Sequence, residues 1–282
     1  AGEADFWVIK LDEQGERLWS RVYGGRFDDR ADVILPADNN GFYLFGRSLS
    51  YSPSAGYQCW ALRLDRAGMR KWEKLYATND SSIIFDACHS ADGRILLAGK
   101  SLHLDQGTAI WVIKIETNGN KVWSKLYGVE DRETANSILA LDDGSSLVAG
   151  YSEAYDGMQA EAYLMKLSGD GEKLWDQHYG ESYWDSAKSI VAGNQNDFVI
   201  TGVREKRKWF LGGLQDDLLI LRVDTNGNLL QELELGGKGH DNGNSISALL
   251  SGGYAIAGRV SVSGKTDSGC NAWVLHYQNL EE

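Results

Sequence analysis

The sequence predicts an all-β fold, a β-propeller of about five four-stranded blades. Three observations predict it: a segment of roughly 50 residues that recurs along the chain, glycine turns at matching places in each copy, and tryptophans locked to the repeat. The segment from Trp7, WVIKLDEQGERLWSRVYGG, returns from Trp60 as WALRLDRAGMRKWEKLYAT, from Trp111 as WVIKIETNGNKVWSKLYGV, and from Tyr163 as YLMKLSGDGEKLWDQHYGE. A more divergent copy starts at Leu219, LILRVDTNGNLLQELELGG, and Trp273 opens a partial one. The turn glycines Gly15, Gly68, Gly119, Gly171 and Gly227 lie 53, 51, 52 and 56 residues apart. The units span residues 6–58, 59–109, 110–161, 162–217 and 218–271, with 272–282 a partial unit, and read as one propeller domain over 1–282.

Each unit divides into four short strands. In the third, Trp111 to Glu116 and Lys121 to Tyr127 flank Asn118-Gly119, a dipeptide that suits a hairpin with positive φ at both central residues. Thr134 to Leu141 then forms a strand, and Asp142-Asp143-Gly144 turns it into Ser146 to Gly150. Runs such as TANSILAL, SAKSIVAG and NSISALL are rich in small residues and suit the crowded inner position, whereas the Trp-Tyr runs suit the outer edge. The chain starts in the third strand of a blade and ends in a third strand at Trp273. The N-terminal pair is therefore expected to help complete the last blade, with one strand in excess. The alternatives are six blades or a segment of a longer propeller.

Of the ten tryptophans, Trp7, Trp60, Trp111 and Trp273 share one repeat position, and Trp19, Trp72, Trp123 and Trp175 share another. A residue copied onto every blade reads as framework, and a buried Trp contributes up to roughly 6 kcal/mol. The aligned Tyr23, Tyr76, Tyr127 and Tyr179 read the same way, as do the cations Lys10, Arg63, Lys114 and Lys166, whose stems cover apolar surface.

Hydrophobic residues make up 43% and charged residues 24% of the 282, a globular composition. The formal net charge of −12 would repel a phosphate backbone, so nucleic acid is not an expected partner. No window is apolar enough to span a membrane, and the N-terminus AGEADFWVIKLD does not read as a signal peptide. Cys59, Cys88 and Cys270 show no CxxC spacing. They read best as buried thiols, with one disulfide left open.

The run Asp-x-x-Gly-x-x-x-Trp (Asp12, Gly15, Trp19; Asp65, Gly68, Trp72) resembles the tryptophan-docking repeat of pyrroloquinoline-quinone-type propellers. It is also similar to bacterial secreted and surface propeller repeats of the form WVxKLDxxGxxxWxxxYGG. The resemblance implies a propeller over nearly the whole chain and a secreted, periplasmic or cell-surface location. Quinone-binding members use adjacent cysteines and a calcium site in an eight-bladed ring. Adjacent cysteines are lacking here, so no cofactor and no metal are expected.

With short turns gathered on one face, function is expected on the other, where residues 49–58, 102–110, 152–161, 204–217 and 261–271 join second to third strands and residues 24–30, 77–82, 128–133, 180–185 and 236–242 join blades. Two tryptophans fall outside the repeat positions: Trp184, beside Tyr183, and Trp209, which with Phe210 ends the basic run that holds Arg204 and Arg207. Tyr57 and Tyr155 add aromatic surface to this face. These eight residues are the candidate ligand- or partner-binding set.

No catalytic residue is assigned. HExxH, GxSxG and Cys-His patterns are absent, and acids near the inner-strand entry (Asp28, Asp29, Asp80, Asp131, Asp185 and Asp241) read as turn caps. The sequence thus favours a non-catalytic module that engages a protein partner. The alternative is a glycan-binding or glycan-cleaving propeller using loop-face aromatics and paired acids.

Overall fold

The computed structural model describes residues 4–52, 56–78, 80–103, 107–128, 132–153, 159–180, 183–208, 213–237, 239–261 and 270–277. Two compact units make up the chain, Ala1–Glu130 and Asp131–Glu282.

The first unit opens with β1 (Phe6–Leu11) and β2 (Arg17–Tyr23), paired antiparallel as a two-stranded sheet. Two four-stranded meanders follow. One is β3 (Asp29–Ala37), β4 (Gly41–Ser48), β5 (Gln58–Leu64) and β6 (Arg70–Tyr76). The next is β7 (Ser81–His89), β8 (Ile95–His103), β9 (Gly107–Ile115) and β10 (Lys121–Tyr127). In the second unit, β11 (Arg132–Ala140), β12 (Ser146–Glu153), β13 (Ala160–Leu167) and β14 (Lys173–Tyr179) form a third meander. A fourth contains β15 (Trp184–Ala192), β16 (Phe198–Lys208), β17 (Gly213–Val223) and β18 (Leu229–Leu235). A single parallel pairing, Ala160 with Trp184, joins these two. β19 (Asp241–Ala248), β20 (Tyr254–Ser261) and β21 (Cys270–Tyr277) form a three-stranded sheet, in which β21 takes the third-strand position.

Within each unit the first strand of the later meander packs on the sheet before it: β7 against β3, β4 and β5, and β15 against β11, β12 and β13. The first strands β3, β7, β11, β15 and β19 each carry a β-bulge at the same place. The extra residues are Asp32, Phe85, Asn136, Lys188 and Asn244. Opposite each bulge stands a glycine of the second strand, Gly46, Gly99, Gly150, Gly202 or Gly258. A Cβ on Gly99 would lie 2.0 Å from the Ile83 carbonyl oxygen, and one on Gly150 would lie 1.8 Å from that of Thr134. Only glycine lets the bulged backbone come so close.

The third-to-fourth-strand turns follow one recipe. The Asp12 carboxylate accepts the backbone N–H of Gln14 and Glu16, and Asp65 and Asp224 repeat the pattern. Gly15 closes the turn at φ 82°. The Asn118-Gly119 turn corrects the sequence expectation: Gly119 is left-handed, but Asn118 is not among the residues with positive φ. The Gly119 N–H bonds back to the Glu116 carbonyl, and the strand register shifts beyond it. The longer hairpin loop absorbs the twist with a single left-handed residue.

Tyr43, Phe45, Cys59, Ile84, Leu97 and Trp111 form the larger core of the first unit; Leu147, Leu164, Ile190, Ile200 and Leu221 belong to that of the second. Cys59 is a buried free thiol, and Cys88 is half-buried. The framework tryptophans divide. Trp60 and Trp111 are 1% exposed, whereas Trp7 is 65% exposed. Trp60 packs toward the preceding sheet, its ring centroid 4.7 Å from that of Phe6. The corresponding face of the two-stranded sheet, with Trp7, Ile9 and Leu11, is open.

Candidate functional site

One position at the entry of each first strand is buried in all five copies: Asp29, Ser82, Glu133, Asp185 and Asp241. Its task is visible in three of them. Asp29 accepts the Gly25 N–H, Ser82 the Thr78 N–H and Asp241 the Gly237 N–H, each four residues back. Asp29 and Asp241 are therefore caps, while others of the recurring acids fall out of register with the cap position. Asp80 lies two residues before the cap position, Asp28 one before, and Asp131 falls outside the described residues.

A serine faces the cap from the second strand in three sheets. Ser48, Ser101 and Ser152 pair with Asp29, Ser82 and Glu133, and the Ser48 hydroxyl donates to Asp29. In the fourth sheet this serine is replaced by Arg204, opposite Asp185. Arg204 is buried. Its Nε lies 3.2 Å from Asp185 Oδ1, and its Nη1 pairs with Glu232 and reaches Glu234 at 3.7 Å. Lys206 also pairs with Glu234. The guanidinium thus spans from β15 to β18 and lines a cleft of about 680 Å³ with Gln177, His178, Tyr179, Lys206 and Asn228.

Arg204 lies inside a strand rather than a loop, because β16 and β17 run through most of the expected 204–217 connection. Their ladder continues through Lys206–Gln215 and Arg207–Leu214 to Lys208–Gly213. Backbone pairing is indifferent to the run of charged side chains that made this stretch look like a loop. Arg207 contributes backbone only to the described structure. Trp209, Phe210 and Tyr155 lie outside the described residues.

Trp184 opens β15, half-buried, with its ring 5.4 Å from that of Tyr151; Tyr183 beside it is 39% exposed. Across the sheet Trp184 faces Glu205, which in turn faces Asp216, and His240 Nδ1 lies 3.1 Å from Asp216 Oδ2. Burial, followed by the negative charge of Asp216, raises the Glu205 carboxyl above its ordinary value, while His240 opposes the shift. The fourth sheet therefore sets Trp184, with Tyr183 beside it, in one row with two acids not singled out from the sequence, Glu205 and Asp216, while Arg204 stands in the next row opposite Asp185. Both acids lie inside the stretch 204–217 that reads as a loop, and only the strand register places them opposite each other.

Tyr57 belongs to the first unit. Its hydroxyl donates to Asp28 Oδ2 at 2.5 Å, and the Arg47 guanidinium lies 5.9 Å from its ring centre. The Tyr57 hydrogen bond holds the Asp28 carboxyl below the usual range against desolvation, and Arg30, 2.8 Å away, reinforces it. Among the described residues no cluster of three or more metal-ligating side chains occurs, and no helix is long and apolar enough to cross a membrane.

No protein-family model and no curated relative matches the sequence. Solved structures do. The Pan2 WD40 domain of Neurospora crassa is 9% identical with a TM-score of 0.55, over 99% of this chain and 77% of that one. The α-L-arabinanase of Penicillium chrysogenum complexed with arabinobiose is 10% identical with a TM-score of 0.59, over 98% and 83%. A chain from the complex of Drosophila Plexin A with Semaphorin 1b is 8% identical with a TM-score of 0.51, over 88% and 52%. At these identities the likeness concerns the fold, and the fold is a β-propeller.

Proposed function

We propose that this propeller is a non-catalytic binding module that engages a protein partner through the β16–β17 hairpin and the residues around its base. The observation that carries this reading is the length of the hairpin. Both strands have 11 residues, where the corresponding β4 and β5 have 8 and 7. At about 3.3 Å per residue, the four pairs it has beyond the β4–β5 ladder extend it by roughly 13 Å. Lys206 on the hairpin and Tyr183 at its base are exposed. A rigid arm with an aromatic at its root offers a partner both reach and an anchor.

Replacing residues 206–215 by an Asn-Gly turn tests the proposal. The shortened chain should keep its melting temperature within a few degrees and lose crosslinking to the partner captured by the intact chain. Retained crosslinking would remove the hairpin from the proposal.

The row Trp184–Glu205–Asp216 favours a second reading, a glycan site. An aromatic beside two facing carboxyls, one with raised proton affinity, is the minimum that such chemistry requires. Glycan-array binding lost in the Glu205→Gln and Asp216→Asn variants would favour this reading. Binding unchanged by both would dismiss it.

A further inference from the structure

The repeat tryptophan of the third strand finds its hydrogen-bond partner on the fourth. Trp7 Nε1 donates to Ser20 Oγ at 2.8 Å and Trp111 Nε1 to Ser124 Oγ at 2.9 Å. At the same position Tyr163 donates its hydroxyl to Asp176 Oδ2 at 2.7 Å. In each case the acceptor stands opposite the residue two places beyond the donor: Ser20 opposite Ile9, Ser124 opposite Ile113, Asp176 opposite Met165. Directly opposite the tryptophans stand aliphatic residues, Val22 for Trp7, Leu75 for Trp60 and Leu126 for Trp111. Two fourth strands thus read serine-x-aliphatic, Ser20-Arg21-Val22 and Ser124-Lys125-Leu126.

Trp273 holds the same position in the last sheet, on β21, which among the described residues pairs with β20 alone. Its Nε1 is enclosed by protein and has no hydrogen-bond partner. A buried donor without an acceptor is unfavourable, so a strand that brings an acceptor is favoured at this edge. Trp273 and Leu275 also line an apolar cavity of about 250 Å³ with Leu218, Leu235 and Val260.

The composition of β21 sets it apart from the other outer strands. Charged side chains guard sheet edges against pairing, and β2, β6, β10, β14 and β18 each carry at least two. The sequence of β21, CNAWVLHY, has no lysine, arginine, acid or proline. It is an interior strand by composition that stands at an edge.

We propose that β21 is a docking edge for an extended segment of another protein, which adds to the sheet as a fourth strand through a Ser-x-Leu or Ser-x-Val motif. The serine, opposite Leu275, accepts the Trp273 N–H. The aliphatic residue, opposite Trp273, enters the apolar cavity, and main-chain hydrogen bonds to β21 supply the remaining affinity. This chain's own serine-x-aliphatic strands are engaged by Trp7 and Trp111, which points to another protein as the source. The edge is separate from the β16–β17 hairpin, and the two contacts stand or fall separately.

The test titrates the ¹⁵N-labelled full chain with an unlabelled peptide of the β10 sequence, KVWSKLY, acetylated and amidated at its ends, and follows the Trp273 indole signal by NMR. The expected result is a saturable shift of that signal together with slowed hydrogen exchange of β21 amides. The same peptide with Ser124→Ala should bind about fivefold more weakly. In a Trp273→Phe chain the two peptides should bind alike, because the donor is gone. Replacing residues 206–215 by Asn-Gly should leave the titration unchanged. A shift that does not saturate, or equal affinity of the two peptides for the parent chain, overturns the proposal. A Trp273 signal that moves with protein concentration alone, or cross-relaxation between β2 and β21 amides without peptide, also overturns it, since a copy of this chain would then fill the edge. If Trp273→Phe fails to fold, the two peptides compared on the parent chain decide.

Discussion

The Tyr76 hydroxyl donates to the Gly119 carbonyl across 2.7 Å, tying the last strand of one sheet to a hairpin turn of the next. Tyr23 to Gly68 and Tyr179 to Gly227 repeat the bond, and Trp19 and Trp72 donate beside it to the Arg66 and Thr117 carbonyls. The turn glycine and the last-strand tyrosine are therefore partners in one joint between sheets. Tyr76→Phe keeps the ring and removes the donor, at an expected cost of about 1–2 kcal/mol in urea denaturation. Tyr23→Phe should cost less, because Tyr23 is only half-buried. Equal, negligible costs would assign the joint to ring packing alone.

The bulge glycines make a sharper prediction. A methyl on Gly99 meets backbone, the Ile83 carbonyl oxygen at 2.0 Å and the Ile84 Cα at 2.8 Å, so no side-chain rotation relieves it. Gly99→Ala should cost about 3 kcal/mol or prevent folding. Serine at the adjacent Lys100 position should be nearly neutral to folding. A Gly99→Ala chain that melts with the parent would mean that the bulge can flatten without loss.

The architecture was legible because a propeller writes itself in repeats: Trp60, Gly68, Trp72 and Tyr76 recur as Trp111, Gly119, Trp123 and Tyr127. The limits of that signal are physical. Trp7 carries the same letter as Trp60, yet its exposure depends on what covers its sheet, which a local pattern does not encode. Trp184 and Tyr183 stood out because they break the repeat. Glu205 and Asp216 did not, because alternating charged residues read as solvated loop until the β16–β17 register places them opposite each other. Arg204 was conspicuous for its basic neighbours, but its buried position became clear only when it proved to occupy the serine place of the other sheets.

Tyr57 and Asp28 predict a pH effect. The folded-state pKa of Asp28 is depressed, chiefly by the Tyr57 hydrogen bond. Its contribution to stability is therefore present above the unfolded carboxyl value, about 3.9, and is lost as pH falls through the lower folded-state value. Tyr57→Phe should move the Asp28 carboxyl upward, read directly from its ¹³C shift, and flatten the dependence of stability on pH below about 4. An unmoved Asp28 titration would transfer the effect to Arg30.

Arg204 and Asp185 allow the repeat itself to serve as the control. Arg204 has 8% of its side chain exposed and Asp185 none, so Arg204→Ala strands a buried carboxylate and should cost about 3–5 kcal/mol. Arg204→Ser installs the residue that the three preceding four-stranded sheets use, and the Ser48–Asp29 hydrogen bond shows what it supplies. The serine variant should recover about 1 kcal/mol or more relative to alanine. Combining each with Asp185→Asn separates the contact from the cavity: the gap between serine and alanine should shrink once the carboxylate is neutralised. If serine and alanine cost the same in both backgrounds, the arginine is held by Glu232 and Glu234 on β18 rather than by the cap. The cleft it lines would then owe its shape to those outer acids.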